Sequence, residues 1–354
     1  MSTVPGRYHH AEGARFRCDV CPRACLLSPG QRGFCYVREG SADGVALTTY
    51  GRSSGFCIDP VEKKPLNHFL PGTSVLSFGT AGCNLGCSFC QNWDISKSRK
   101  DDTLQSTATP TRIAELAIAK QCRSVAFTYN DPTIFVEYAV DTAQECRARG
   151  VQSIAVTNGY IQGRAREDLY ANMDAANIDL KGFTEDFYRK VTLAHLEPVK
   201  DTLRYVVKET RCWVEITTLL IPGHNDADAE LDELSRFVAR DLGVDVPLHF
   251  TAFHPGYKMQ DIGPTPPATL ARARHIARAN GLHHVYTGNV HDQAGQSTYC
   301  AGCGALVIER DWFTLGAWNL DGNRCCACGT VVGGVFEARP GTWGARRVPL
   351  RVVA

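Results

Sequence analysis

The sequence predicts an α/β protein whose core, residues 73–290, contains about six βα units arranged as a full or partial TIM-like barrel. Small cysteine-rich modules are expected on either side of it, at 1–72 and 297–354. Two observations support this division. Short apolar segments alternate with amphipathic helical segments from residue 75 to about residue 288, a pattern typical of a parallel sheet. Most of the cysteines lie in the two flanking segments and in one loop after the first predicted strand.

The N-terminal module carries a C-x2-C-x3-C-x9-C pattern formed by Cys18, Cys21, Cys25 and Cys35. Glycines in the same stretch allow the tight turns that bring four sulfurs to one centre. The pattern indicates a bound metal, either zinc or a second iron–sulfur cluster, and the alternative is a set of reduced thiols packed under a short β-hairpin. The segment 58–69 is predicted to be an ordered loop, in which Lys63, Lys64 and His68 face either the active site or solvent.

The core is predicted from its hydrophobic periodicity. Strands are expected at 75–79, 124–129, 153–157, 178–181, 213–221 and 249–253, with 284–287 as a candidate seventh. Helices are expected at 111–120, 133–149, 164–172, 185–191, 198–209, 228–242 and 267–280. Pro110 precedes the first of these helices and Gly150 follows the second, as is typical of helix ends.

The predicted strands end in polar or glycine-rich groups. The first strand leads into a loop that contains Cys83, Cys87 and Cys90. Later strands lead into Asn130-Asp131, Asn158-Gly159, Asp179-Leu180-Lys181, 222–226 and 253–258. Because the chemistry of α/β barrels lies at the carboxyl ends of the strands, we expect these groups to share one rim.

The C-terminal module contains two C-x2-C-G knuckles separated by 21 residues and formed by Cys300, Cys303, Cys325 and Cys328. This arrangement is typical of a zinc ribbon or a rubredoxin-like site. It predicts a structural metal, with zinc preferred to iron. The additional Cys326 is not expected to be a ligand.

The loop at 79–93 holds three cysteines, separated by three and then two residues, with no fourth cysteine close by in the sequence. Four thiolates complete a structural zinc site or a closed iron–sulfur cluster. A triplet instead suggests a 4Fe–4S cluster with one open iron, which can take the amine and carboxylate of a small molecule. The alternatives are a partial zinc site and a set of buried free thiols.

Composition argues against several other functions. The 354 residues carry a formal net charge of +1, which gives no electrostatic reason to expect a nucleic acid or an anionic membrane as a partner. The apolar runs are shorter than a transmembrane span, and the N-terminus lacks the apolar core of a signal peptide. We therefore expect a cytoplasmic protein, in which clustered cysteines bind metals rather than form disulfides.

The cysteine triplet, with Phe89 directly before its third cysteine, resembles the signature of radical S-adenosylmethionine (SAM) enzymes. The resemblance narrows to the pyruvate formate-lyase activating enzyme class through Asn92, 129–133, Asp179-Leu180-Lys181 and Phe253-His254. The whole chain is similar to the AmmeMemoRadiSam system radical SAM enzymes through the N-terminal cysteine quartet, the C-terminal knuckles, and the segments 59–66 and 286–290.

The resemblance implies a role for each matching residue. Cys83, Cys87 and Cys90 would ligate three irons of a 4Fe–4S cluster whose fourth iron binds SAM. Phe89 would lie near the adenine of SAM, with Asn92 beside it. Asn130 and Asp131 would meet the amine, and Asn158 the ribose. Lys181, with Asp179 in the same motif, and His254 would contact the carboxylate and the ribose. At Asn130-Asp131 this sequence lacks the double glycine of related enzymes.

The implied reaction is reductive cleavage of SAM by one electron from an external donor. The 5′-deoxyadenosyl radical then abstracts hydrogen from a substrate that the sequence does not identify. One hypothesis is an activase that installs a glycyl radical on a partner protein. Another is direct modification of a small molecule, a peptide or a protein. The alternative function, from a different class of protein, is a non-catalytic iron–sulfur or zinc scaffold, or an electron-transfer protein, whose site no longer binds SAM.

Overall fold

The computed structural model describes residues 3–98, 104 and 106–350. The N-terminal part of the chain consists of short strands joined by turns. The outermost ends of the two predicted modules, 1–2 and 351–354, lie outside the described residues. The N-terminal strands are β1 Val4–Pro5, β2 His9–Glu12, β3 Arg15–Cys18, β4 Leu26–Leu27, β5 Arg38–Gly40, β6 Val45–Leu47 and β7 Arg52–Ser53. Strands β2, β3 and β4 form one antiparallel sheet, and β1, β6 and β5 form another.

The next strand, β8 Gly55–Pro60, belongs to the central sheet and pairs antiparallel with β9 Ser74–Gly79. The predicted loop at 58–69 is therefore wrong for its first three residues. The mixture of charged and apolar residues made this segment resemble an ordered loop, but Asp59 is completely buried and forms an ion pair of 2.7 Å with Lys64. A 3-10 turn, Val61–Lys63, follows β8.

The core alternates strands and helices, as the sequence predicts. Its further elements are α1 Trp93–Ser96, β10 Ser106–Thr107, α2 Pro110–Ala119, β11 Ser124–Phe127, α3 Val136–Arg147, β12 Gln152–Thr157, α4 Gly163–Ala171, β13 Ala175–Asp179, α5 Glu185–Phe187, α6 Glu197–Glu209, β14 Trp213–Leu220, α7 Asp228–Phe237, β15 Leu248–Ala252, α8 Pro267–Ala279 and β16 Val285–Gly288. A 3-10 turn, Pro132–Phe135, precedes α3, and π-helical turns, Tyr188–Thr192 and Val238–Leu242, extend α5 and α7. Among the described residues, no helix combines the length and the apolar character needed to cross a bilayer.

The C-terminal part consists of short elements: α9 Gln293–Gln296, β17 Thr298–Tyr299, β18 Leu306–Asp311, β19 Thr314–Trp318, β20 Leu320–Asp321, β21 Arg324–Cys325 and β22 Val348–Leu350. Strands β17, β18 and β19 form a separate antiparallel sheet over a small apolar core of their own. The last strand, β22, leaves this region and pairs antiparallel with β8.

The central sheet has the strand order β16-β15-β14-β13-β12-β11-β9-β8-β22. Strands β9 and β11 to β16 run parallel. At one side of them β8 pairs antiparallel with β9, and β22 pairs antiparallel with β8. The described sheet therefore ends at β16 and at β22 and does not close. The predicted α/β class is confirmed, the candidate seventh strand is present as β16, and the barrel is partial rather than full.

The strand predicted at 178–181 begins earlier, at Ala175, and ends at Asp179, so Lys181 lies beyond it. Ala175, Ala176 and Asn177 have low strand propensity, which concealed the start of β13. They are buried in the sheet because β12 and β14 pair with β13 on its two sides. Tertiary pairing, rather than local preference, sets this boundary.

Candidate active site

The cysteine triplet lies in the loop that leaves the carboxyl end of β9. Cys83, Cys87 and Cys90 line one cavity of about 340 Å³. The opposite walls come from the ends of β11 to β15 and the loops after them, including Thr128, Asn158, Asp179, Thr217 and Thr251. The structure thus brings the predicted strand-end groups to one rim, as parallel strands require.

Asn130 fixes the start of the cysteine loop. Its side-chain oxygen accepts a hydrogen bond from the Thr80 amide at 3.1 Å, and its side-chain nitrogen donates to Thr80 Oγ1 at 3.1 Å and to the Gly82 carbonyl at 3.0 Å. These bonds tie the turn after β11 to the turn after β9. Asn130 lines the cavity, but its amide is engaged by the protein itself.

Asp131 joins the next two strand ends in the same way. Its carboxylate accepts hydrogen bonds from the Thr133 amide at 2.9 Å, the Thr157 hydroxyl at 3.1 Å and the Asn158 amide at 2.7 Å. Burial raises the pKa of Asp131, and these donors oppose that effect. The arrangement gives Asp131 a positioning role, and its predicted contact with the amine of SAM stays a prediction.

Asn158 lies directly against the triplet. Its side-chain nitrogen donates to Asn84 Oδ1 at 2.9 Å and is 3.9 Å from Cys83 Sγ. Asn84, which sequence reasoning missed, is fully buried and donates in turn to the Tyr160 carbonyl at 2.7 Å. Asn84 directly follows Cys83 in the cysteine loop, and this position was the sequence feature that could have identified it as a site residue.

Lys181 brings a positive charge to the cavity. Its ammonium donates to Asp179 Oδ2 at 2.7 Å and is 5.8 Å from the centre of the Phe89 ring. Burial alone would lower the pKa of Lys181, but Asp179 and the Cys87 sulfur raise it above its ordinary value. A permanently charged lysine at this place can bind a carboxylate.

The remaining predicted SAM contacts divide into two groups. Phe89 is buried and Asn92 is exposed, and both line the cavity with the cysteines. His254 is exposed and is not among the residues that line it. The chain leaves β15 at Ala252 and turns Phe253 into the core, so the next side chain points outward. The structure therefore does not support the predicted role of His254 in SAM binding.

A second cavity, of about 480 Å³, adjoins the first and shares walls with it, among them Lys63, Tyr129 and Asn289. The C-terminal region covers this cavity with Trp312 and Phe313. The sequence allows Lys63 to face either the active site or solvent, and the structure places it at the junction of the two cavities.

Three cations surround one carboxylate at this junction. Asp59 is 2.7 Å from the Lys64 ammonium, 3.4 Å from that of Lys63 and 3.8 Å from the Arg347 guanidinium, and it accepts a 2.8 Å bond from the Tyr129 hydroxyl. Burial lowers the pKa of Lys64 to about 8, although Asp59 opposes the shift. Asp59 balances one of these three charges. Arg310 and the carboxyl group of Glu62 also line the second cavity, so the cationic side chains outnumber the carboxyl groups there.

The C-terminal cysteines form a compact group. The sulfurs of Cys300, Cys303, Cys325 and Cys328 all lie within 4.8 Å of one another, and the Cys300–Cys328 and Cys303–Cys325 pairs are separated by 3.5 and 3.9 Å. Zn–S bonds of about 2.3 Å in a tetrahedron place sulfurs roughly 3.8 Å apart. The group therefore fits one tetrahedral ion, and Cys326 is outside it, as predicted.

The triplet has a different geometry. Among the described residues, only the C-terminal four form a group of three or more His, Cys, Asp or Glu side chains whose ligand atoms all lie within 4.8 Å of one another. Cys83, Cys87 and Cys90 share a cavity at wider spacing, which suits separate irons of a cluster better than one common ion. Adjacent donors and acceptors complete a site that fits a 4Fe–4S cluster with a small polar molecule beside it.

The fold and the site thus define an α/β protein with a cysteine-triplet cofactor centre at the carboxyl end of a parallel sheet. The Radical SAM superfamily model matches residues 78–234, which include the triplet. The uncharacterized protein MJ0808 of Methanocaldococcus jannaschii is 43% identical over 328 residues, covering 92% of this chain and 97% of that protein. Residues 78–234 of this chain therefore form a radical SAM superfamily domain.

Two further similarities are more distant. The pyruvate formate-lyase-activating enzyme of Clostridium pasteurianum is 22% identical over 54% of this chain and 84% of that enzyme. A radical SAM methyltransferase from Sphaerobacter thermophilus aligns with a TM-score of 0.49 and 18% identity, over 67% of this chain and 71% of that structure. The chain is homologous to pyruvate formate-lyase activating enzymes, and its narrower resemblance to the AmmeMemoRadiSam group stays a prediction.

Proposed function

We propose that this protein is a radical SAM enzyme that cleaves SAM reductively and abstracts hydrogen from a substrate bound beside it. The observation that carries the proposal is the single cavity that Cys83, Cys87 and Cys90 share with Asn158, Asp179 and Lys181. When bound, the 4Fe–4S cluster supplies to the sulfonium one electron from an external donor, which yields methionine and the 5′-deoxyadenosyl radical.

The side chains of this chain would bind and orient SAM. Lys181 offers its ammonium to the carboxylate of SAM, while Asp179 holds that ammonium in place at 2.7 Å. Asn158, beside Cys83, can bond a ribose hydroxyl. Phe89 gives the adenine an apolar surface, with Asn92 next to it. Each of these roles is a proposal that rests on the placement of the residue in one cavity.

We propose that the substrate occupies the second cavity and carries an anionic group, either a carboxylate or a phosphate. The excess positive charge of Lys63, Lys64 and Arg347 around Asp59 supports this assignment. The cavity volume of about 480 Å³ suits a small molecule or a side chain of a partner protein. Activation or modification of a partner protein therefore stands beside small-molecule modification, and a glycyl-radical signal in a candidate partner would favour activation.

The C-terminal cysteine group would hold a structural metal. We propose zinc, because the sulfur spacings of 3.5 and 3.9 Å suit Zn–S bonds in a tetrahedron. This ion would stabilise the small sheet that covers the second cavity, and it would take no part in the reaction.

The proposed reaction is tested with anaerobically reconstituted full-length protein. We expect the brown 4Fe–4S absorption and, with dithionite and SAM, the release of 5′-deoxyadenosine. Cys87→Ala should lose the cleavage activity, since it removes one of only three ligands in the triplet. Cys212→Ala, at a buried cysteine at the foot of β14, is the matched control and should retain activity. Cleavage of SAM by Cys87→Ala would contradict the proposal.

The rival function is an iron–sulfur or zinc scaffold, or an electron-transfer protein, that does not bind SAM. The hydrogen bonds that occupy the side chains of Asn130 and Asp131 keep this alternative open, because related enzymes meet the SAM amine at these positions. Calorimetric titration of the cluster-loaded protein with SAM separates the two functions. A saturable heat signal favours the enzyme, and its absence favours the scaffold.

A further inference from the structure

We propose that Cys18, Cys21, Cys25 and Cys35 hold a second four-iron cluster, close to the SAM site, rather than a zinc ion. The four cysteines line one small, largely apolar cavity together with Val20, Gly33 and Ile134. Backbone hydrogen bonds from Cys18 to Cys25 and from Ala24 to Cys21 close the loop that carries the first three of them. The chain therefore brings all four thiols to one enclosed space.

The spacing of the sulfurs argues against zinc. Unlike the C-terminal group, no three of these four cysteines have sulfurs that all lie within 4.8 Å of one another. The C-terminal four show how this chain arranges thiols for a single tetrahedral ion. The N-terminal four instead share the wider geometry of Cys83, Cys87 and Cys90, around which superfamily membership implies a cluster. A cubane with a thiolate at each iron accounts for four cysteines that share a cavity but do not converge on one point.

The charges around the cavity suit an anionic cluster. Two guanidinium groups line it, those of Arg23 and Arg38. Glu137 forms an ion pair with Arg38 at 2.5 Å, so this charge is balanced. Arg23 donates to the backbone carbonyls of Asn84 and Leu193. Its positive charge thus lies between the quartet and the cysteine triplet, where it can offset the negative charge that thiolate ligands bring to a cluster.

The two cysteine sets are neighbours in the fold. Gly82, which precedes Cys83, packs so closely on Cys35 that a Cβ at this position would lie 2.1 Å from the Cys35 carbonyl oxygen. Asn84 lines the quartet cavity, and its side chain reaches both Cys83 and Asn158. A single layer of residues therefore separates the two sites, and two paramagnetic clusters placed there would be magnetically coupled.

Counting metals and sulfide in the anaerobically reconstituted full-length protein tests the proposal. We expect about eight iron and eight sulfide per chain, with about one zinc, for two clusters and one C-terminal ion. Cys21→Ser and Cys25→Ser, at half-buried ligands, should each lower iron and sulfide to about four while zinc stays constant. Loss of zinc in these variants, or a wild-type protein with two zinc and only four iron, would overturn the proposal. So would variants with unchanged metal content, since that result would mean packed thiols.

Magnetic resonance of the reduced protein provides a readout that does not depend on activity. The wild type should give a signal broadened by spin coupling, and Cys21→Ser should give the simpler signal of one cluster that still responds to SAM. Cys87→Ala should keep the quartet cluster and lose the response to SAM, so failure of this proposal and failure of the proposed enzyme activity are distinguishable. Wild-type protein that contains a single uncoupled cluster would contradict the second site even if every variant misfolded.

Discussion

Two charged side chains that are largely removed from solvent, one in the candidate active site and one in the N-terminal module, are each paired with an opposite charge. Lys181 is placed in the cavity by its ion pair with Asp179, and Arg38 is held in the core by Glu137. A buried charge without such a partner would be strongly destabilising. At Lys181 the pairing leaves further donor capacity, because an ammonium has three N–H groups. This is the physical basis for assigning Lys181 to the carboxylate of SAM.

The variant Lys181→Met tests this assignment. Loss of a charge-assisted hydrogen bond, about 1.5–3 kcal/mol, should weaken SAM binding by roughly 10- to 150-fold in a titration of cluster-loaded protein. Lys190→Met is the matched control, since Lys190 forms an exposed ion pair with Asp186 on the surface. An unchanged affinity in Lys181→Met would exclude this lysine from SAM binding.

At the scale of elements, the cysteine loop has little regular structure and is positioned from outside. Asn130 ties it to the end of β11, and the Cys35 carbonyl packs against Gly82. Gly82 has a φ of +83°, in the left-handed region that residues with a Cβ rarely adopt. Backbone contact and backbone conformation therefore both require glycine at this point.

Gly82→Ala should consequently destabilise the protein and reduce its capacity for the cluster. The left-handed conformation alone costs about 1–2 kcal/mol, and the contact with Cys35 adds to this loss. Urea unfolding under anaerobic conditions measures the effect. Gly263→Ala is the control, because a Cβ there meets nothing within 4 Å, and its free energy of unfolding should stay within about 0.5 kcal/mol of the wild type. Equal stability of the two variants would refute the close contact.

At the scale of the whole molecule, the C-terminal region docks on the segment after β8 through a buried histidine. His68 Nδ1 lies 2.6 Å from the Gly333 carbonyl, and its Nε2 lies 2.6 Å from the Tyr286 hydroxyl. A carbonyl only accepts, so Nδ1 carries the proton and Nε2 accepts from Tyr286. Glu215 holds the backbone amides of Asn67 and His68. This network is complete only while His68 is neutral.

The unfolding free energy should therefore depend on pH through His68. Burial lowers the pKa of His68 to about 3, whereas a histidine in the unfolded chain titrates near 6.5. Because the unfolded state binds the extra proton between these values, stability is lost as the pH falls below about 6.5. Between pH 6 and 5 the wild type should lose up to about 1.4 kcal/mol per pH unit more than His68→Gln. His195→Gln, on the surface, is the control, and parallel curves for all three proteins would contradict this account.

Much of the fold could be predicted from the sequence, because local periodicity depends on which residues face the core. The alternation of strands and helices from β9 to β16 followed from this periodicity, and the cysteine groups were visible from their spacing. The shared rim with Cys83, Asn158 and Lys181 followed because parallel strands end on the same side of the sheet. The start of β13 could not be predicted in this way, because pairing with the neighbouring strands holds its alanines in the sheet.

The spacing of three cysteines predicts an iron–sulfur centre, and the radical SAM domain at residues 78–234 agrees with this prediction. Whether the barrel closes, and which side chains surround the centre, became known from the fold. The sheet stays open because β8 and β22 add to its edge, and β8 carries Asp59 with its cations toward the second cavity. The sequence also could not predict that His254 is exposed or that the sulfurs of the N-terminal quartet are widely spaced. Such features depend on contacts between segments far apart in the chain, which no local pattern records.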